Sequence, residues 1–377
     1  MSADGPGFRC EGPKGDGVIV LGIDPHKKSH TAVAVEALTG ELLAELTVTA
    51  DRRGHRKLLL WSRSLDAERR FALEDCRHVC GRLARFLIER GERVVCVPPK
   101  LMATTRRSAR TYGKSDAIDA AAVARAALRE PDLPEARLAG PERDLRLLAD
   151  HRNDLVAERT RIQQRLRWHL QNLECGPQVP VRGLGRSCWL RRLDEALAGR
   201  PGTQARIARD LVERCLELSR TIDGLEREVA AQAKVLAPEL LALPGCGPLT
   251  AATLAGQTAG ALRFASESRF AMHAGVAPLP ASSGQSCRHR LNRRGNRQLN
   301  AALHRIAVTQ MRTHAPAQAY LARKRFQGQS KREALRCLKR HLARVVWRAM
   351  RAGELRRQGI LLAISSPSSN AMATQLT

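Results

Sequence analysis

Four carboxylates in the first third of the chain, Asp24, Glu74, Asp116 and Asp119, stand where hard oxygen ligands for a divalent cation would be wanted. Asp24 follows the apolar run VIVLGI and Glu74 closes RRFALE, so both terminate segments that read as strands. Asp116 and Asp119 sit three apart in a helix that begins near Ser115, which puts both on one face close to the helix N-terminus. Such a donor set suits Mg2+ or Mn2+, ions that keep several waters and bind phosphate oxygens. Two of them can flank a phosphodiester, one activating the nucleophile and one stabilising the leaving oxygen. Each acid also has a plainer role open to it: Asp24 before Pro25 as a turn residue, Asp116 as a helix cap, Glu74 as half of a surface ion pair. Asp75 faces the other way along its strand and is the less favoured ligand. Cys76, His78 and Cys80 form one tight Cys/His group, but without a second pair at zinc spacing they read as core packing.

The elements that must position these acids alternate strand and helix from Val18 to about Leu128. VIVLGID, HTAVAVEA and LLAELTVTA read as a meander, followed by a helix over 55–64, the strand RRFALE, a helix over 79–90 and the strand RVVCVPP. The expected product is an α/β domain over 18–140 with a mixed sheet, preceded by a disordered leader at 1–17. A helical coiled-coil spacer is expected over 141–236. Leu145, Leu148, Leu155, Ile162, Leu166 and Leu173 form one seam, interrupted by Arg152, Arg159 and His169. Leu211, Cys215, Leu218, Ile222, Leu225 and Val229 form a cleaner one. The Gly/Pro-bearing stretch 176–205 reads as the connection between the two helices. They can fold back on each other or pair between subunits, and a homo-oligomer, dimer or tetramer, is the expected assembly.

A basic helical domain is expected over 237–358 and a disordered tail over 359–377. Between Glu267 and Glu354 the only acid is Glu333, against about twenty Lys and Arg residues. That is the footprint of a phosphate-binding face rather than of a solvated surface, which mixes both signs. The whole chain of 377 residues carries a formal charge of +27, far more than solubility needs. Nucleic acid is the implied partner, and no apolar stretch supports a membrane one. With 3% aromatic residues, the cores must be aliphatic and the basic face suits duplex backbone better than base stacking. The N-terminus lacks the apolar segment of a secretion signal, so a cytoplasmic location and free thiols are expected. The turn LPGCG at 243–247 resembles a hairpin whose backbone N–H groups grip phosphate, or else an ordinary capping turn.

Several of these segments together resemble the DEDD-type insertion-sequence transposases, the insertion-sequence 110 family. The likeness lies in GIDPHKKSH, ALED, VVCVPP, GKSDAIDA, LPGCGPLTAATL, FAMHAGVAPLPASSG and RRGNRQLNAAL, in the family's order along nearly the whole chain. The resemblance implies that Asp24, Glu74, Asp116 and Asp119 bind Mg2+ or Mn2+ in an N-terminal domain shaped like ribonuclease H and the junction resolvase RuvC. One departure is local: where the family often has Ala-Thr-Gly and an aromatic after its Glu, this chain has Asp75, Cys76, Arg77 and His78.

The resemblance also implies a catalytic serine in the C-terminal domain. Ser283 before Gly284 matches best and Ser282 is the runner-up. A serine ahead of Arg288, Arg290, Arg293, Arg294 and Arg297 can approach a phosphate closely, with guanidinium groups to stabilise the transition state. A Ser/Gly turn before a helix is the alternative. Lys324, Arg325, Lys331 and Arg332 are further candidate phosphate contacts. The implied activity is DNA strand cleavage and exchange through a phosphoserine link, with the element's own structured guide RNA pairing to donor and target DNA. Two rival readings remain open at this stage: a RuvC-like nuclease that resolves branched DNA with water, and a noncatalytic nucleic-acid-binding protein.

Overall fold

The computed structural model describes residues 18–65, 68–74, 79–98, 101–102, 115–130, 133, 135–173, 176–281, 289–292 and 295–359. The chain divides into two compact units, Met1–Leu138 and Ala139–Thr377. In the first, strands Ile19–Pro25 (β1), Ser29–Glu36 (β2), Leu42–Thr49 (β3), Arg69–Glu74 (β4) and Arg93–Val97 (β5) form one sheet in the order β3-β2-β1-β4-β5. The β1–β2 and β2–β3 pairs are antiparallel, and the β1–β4 and β4–β5 pairs are parallel. This mixed sheet is compatible with the expected ribonuclease-H-like domain.

The alternation of side chains across β1 and β4 decides what each face packs. Ile19, Leu21, Ile23, Phe71 and Leu73 join helices Arg52–Leu65 (α1) and Gly81–Ile88 (α2) in one core. Val20 and Ala72 join helix Asp116–Arg129 (α3) in the other. The α3 sequence DAIDAAAVARAALR is mostly alanine on its buried side, so its backbone comes down onto the sheet at Gly22. A Cβ at Gly22 would lie 2.0 Å from the Ala120 carbonyl oxygen and 2.5 Å from the Ala124 nitrogen. Backbone cannot yield as a flexible side chain can. Gly22→Ala is therefore expected to lift α3 off β1 and cost about 1–3 kcal/mol or more by overpacking. Denaturant titration would register this, and an unchanged midpoint would contradict the close helix–sheet contact.

On the opposite face His30 and His55, 1% and 4% exposed, stack with ring centroids 5.6 Å apart. His30 Nδ1 and His55 Nε2 have no hydrogen-bond partner among the described residues. Burial, then the neighbouring His55 and His26, lowers the pKa of His30 from 6.5 to about 4. Burial also lowers that of His55, with Asp51 opposing and Arg82 reinforcing. A folded-state pKa below the unfolded one means that the folded unit binds fewer protons between the two values. Stability present above pH 6.5 is thus lost as pH falls toward about 4, by roughly 3 kcal/mol for His30. Denaturation midpoints at neutral and acid pH check this, and His30→Gln should shrink the difference between them. An equal difference in the variant would exclude His30 as the source.

In the second unit, helices Pro141–Gln171 (α4) and Thr203–Leu236 (α6) lie antiparallel. Arg152 Nε donates to Glu226 Oε1 (2.9 Å), Arg159 Nη1 to Ser219 Oγ (2.9 Å), and Gln204 Nε2 to the His169 carbonyl (3.1 Å). The arginines that interrupt the α4 seam thus find polar partners on α6. The seam itself serves two cores. Ile162, Leu166, Cys215, Leu218 and Ile222 pack with helix Ser187–Leu197 (α5). Leu145, Val229 and Ala233 instead pack with the C-terminal helices, so the expected spacer is continuous with the basic region. The Gly/Pro-bearing connection between the two helices holds α5 and a 3-10 turn at Gly183–Gly185.

Helices Pro238–Leu241 (α7), Pro248–Thr258 (α8), Glu267–His273 (α9), Arg297–Thr313 (α10), Ala315–Phe326 (α11) and Lys331–Arg357 (α12) complete the unit, with a two-residue ladder of Leu279–Pro280 (β6) and His289–Arg290 (β7). Cys80, Cys188, Cys215, Cys246 and Cys337 are free, as expected, but Cys96 is disulfide-bonded, which corrects the expectation at that position. Among the described residues no helix is long and apolar enough to cross a membrane.

Candidate active site

Asp24 lies two residues beyond Gly22 on β1, so it projects from the face that carries α3. Glu74 lies two beyond Ala72 on β4 and shares that face by the same alternation. The parallel register pairs Ile23 with Leu73, which sets both acids at the carboxyl ends of neighbouring strands. Facing Asp24 is the first turn of α3, which begins at Asp116 and also holds Asp119. The capping task falls to Ser115, whose hydroxyl accepts from the Ile118 N–H at 3.2 Å. That leaves the Asp116 carboxylate available to the site.

Asp24 and Asp116 are brought together by a residue that sequence reasoning missed. His26 Nε2 stands 3.2 Å from Asp24 Oδ2 and 3.2 Å from Asp116 Oδ1. Donor atoms of the three residues lie within 4.8 Å of one another. The one His26 ring nitrogen thus stands between the two carboxylates. Hard oxygens from a strand end and a helix start, with a nitrogen between them, fit a divalent cation of the Mg2+ or Mn2+ kind. The side chain of Asp24 is 12% exposed and that of Asp116 is 56% exposed, so the cluster is more open at its α3 end. The signal for His26 was its place two residues after Asp24 in GIDPHKKSH.

In the second unit, Arg290 on β7 and Arg297 at the start of α10 are exposed. Ser282, Ser283, Arg288, Arg293 and Arg294 lie outside the described residues, as do Asp75, Cys76 and His78. What flanks the serine segment is tightly built. A Cβ at Gly295 would lie 2.1 Å from the Gly275 nitrogen, and Gly275 itself has φ +68°. Asn296 caps α10 by accepting from the Gln298 and Leu299 N–H groups, while Asn300 Nδ2 donates to the Gly275 carbonyl at 2.9 Å. Gly295 and Asn300 therefore hold Gly275 against the start of α10. In the LPGCG turn, Gly245 takes φ +80° and the Cys246 N–H donates to Leu243, while Gln310 Nε2 donates to the Pro244 carbonyl. This turn joins α7 to α8 and braces them on α10.

Two family models match the chain: a DEDD-type IS110 transposase model over residues 21–174, and a model described as Transposase IS116/IS110/IS902 family over residues 237–322. An insertion element IS900 42 kDa protein of Mycobacterium paratuberculosis is 30% identical over 319 residues, covering 71% of this chain and 79% of the relative. An insertion element IS116 44.8 kDa protein of Streptomyces clavuligerus is 29% identical over 380 residues, covering 88% and 94%. The chain belongs to the IS110 family of transposases. Such a transposase is a DNA-processing enzyme. Its first matched segment contains all four acids and His26, and its second contains Ser282 and Ser283.

Proposed function

We propose that the transposase cleaves and exchanges DNA strands at the ends of its insertion sequence, with a divalent metal held by the N-terminal acids and Ser283 as nucleophile. The observation that carries this reading is the meeting of Asp24 and Asp116 at His26 on the α3 face of the sheet. Asp24, Glu74, Asp116 and Asp119 would hold Mg2+ or Mn2+. When bound, the ion offsets negative charge developing on the phosphate. His26 keeps the Asp24 and Asp116 oxygens paired across the gap between β1 and α3. The Ser283 oxygen forms a bond to phosphorus and displaces the 3′ or 5′ oxygen of the sugar, and the serine proton passes to that leaving oxygen.

The basic C-terminal region would supply phosphate contacts through Arg288, Arg290, Arg293, Arg294, Arg297, Lys324, Arg325, Lys331 and Arg332. Acids nearby serve structural ends: Glu354 accepts from the Ala261 and Leu262 N–H groups, and Glu267 pairs with Arg340 and Arg344. The same basic surface would take the element's guide RNA, and the transposase would work as a homo-oligomer. Cleavage of a labelled element end by wild type, Asp24→Asn and Ser283→Ala proteins tests this reading.

A further inference from the structure

Helix α11 ends on Phe326, a phenyl ring that is 94% exposed. It does not hang on a loose segment. The Gly328 N–H donates to Arg325 and the Gln329 N–H to Lys324, with Gly328 at φ +82°. Two residues later Ser330 and Glu333 form a capping box that starts α12. Cys337 Sγ lies 3.4 Å from Gln329 Oε1 across the turn. The ring is thus displayed from a turn fixed at both ends.

Close to it along the chain, on the same helix end and the start of α12, are Arg323, Lys324, Arg325, Lys331 and Arg332. Among the described residues none of these five has a carboxylate within 4 Å, since Glu333 is spent on the capping box. Arg323 and Lys324 lie back over the Tyr320 ring, 5.4 and 6.0 Å from its centroid. Lys324 Nζ also donates to Gln327 Oε1 at 3.1 Å, and an aromatic ring held out among cations that lack a carboxylate partner suits a strand whose phosphates meet the cations while a base meets the ring. A second copy of this chain is opposed by the repulsion of two such acid-poor faces.

We infer that Phe326 is a stacking platform for an unpaired nucleobase, with Arg323, Lys324, Arg325, Lys331 and Arg332 holding the adjoining phosphates. This rests on the reading of the C-terminal helices as a nucleic-acid surface and makes it specific for strands with exposed bases.

The test compares wild type, Phe326→Ala and Phe326→Trp proteins on a blunt DNA duplex, the same duplex with an internal unpaired loop, its RNA counterpart, and phosphatidylserine vesicles. Phe326→Ala should bind the looped substrates about tenfold more weakly, with blunt-duplex affinity and salt dependence unchanged. Phe326→Trp should keep the affinity, and its emission in excess of wild type should be quenched by looped nucleic acid. DNA and RNA loops distinguish which strand supplies the base. Equal binding of looped DNA and RNA by Phe326→Ala and wild type, with a steep salt dependence retained, overturns the stacking inference alone. So does an emission change with vesicles and none with oligonucleotides. A wild-type protein that binds no nucleic acid overturns the basic-face reading and this inference together.

Discussion

Asp24→Asn is expected to slow metal-dependent strand cleavage by about a hundredfold or more, the scale on which loss of one transition-state contact is felt. The substitution is nearly isosteric at a position 8% exposed, so the strand end keeps its shape. What changes is charge and polarity: one of the two oxygens at His26 loses its negative charge, and an amide N–H₂ can take its place. Divalent-ion affinity measured by calorimetry should fall in parallel with cleavage, while DNA binding persists. Asp116→Asn should act in the same direction. Wild-type metal-dependent cleavage by Asp24→Asn would mean that the chemistry lies elsewhere.

Much of this site could be read before any coordinates, because strand ends and helix starts leave local marks. Apolar runs closed by Asp24 and Glu74 placed those acids, and Ser115 with Asp116 and Asp119 marked a helix start. The meeting of Asp116 with Asp24 depends on α3 crossing β1 at Gly22, a contact between positions about a hundred residues apart that no local pattern encodes. His26 was hidden for the same reason, since its second partner comes from α3.

In the second unit the heptad spacing identified the buried faces of α4 and α6 but could not say against what they pack. Cys215 and Val229 lie on one seam yet enter different cores. Helix α5 was obscured by Gly185 and Gly199 on either side of an amphipathic SCWLRRLDEAL, whose leucines Leu190, Leu193 and Leu197 are buried. Phe326 was legible as a residue but not as an exposed one. Its neighbour Leu321 on the same helix is buried, and only the helix end decides the difference.

The second large effect concerns Ser283. Removing its hydroxyl takes away one oxygen without altering charge, so metal and DNA affinities should stay close to wild type while strand transfer is lost. A water-using nuclease would tolerate Ser283→Ala and fail only with Asp24→Asn. A noncatalytic binder would yield no metal-dependent strand chemistry with any variant. If serine oxygen displaces the sugar oxygen, it must remain bonded to phosphorus until the strands are exchanged. The most direct measurement is therefore a denaturing gel of labelled element-end DNA after incubation with protein and Mg2+. The account predicts label migrating with wild-type protein, absent without metal and absent from Ser283→Ala. Full recombination by the protein carrying both Ser282→Ala and Ser283→Ala, with no label on protein, would contradict it.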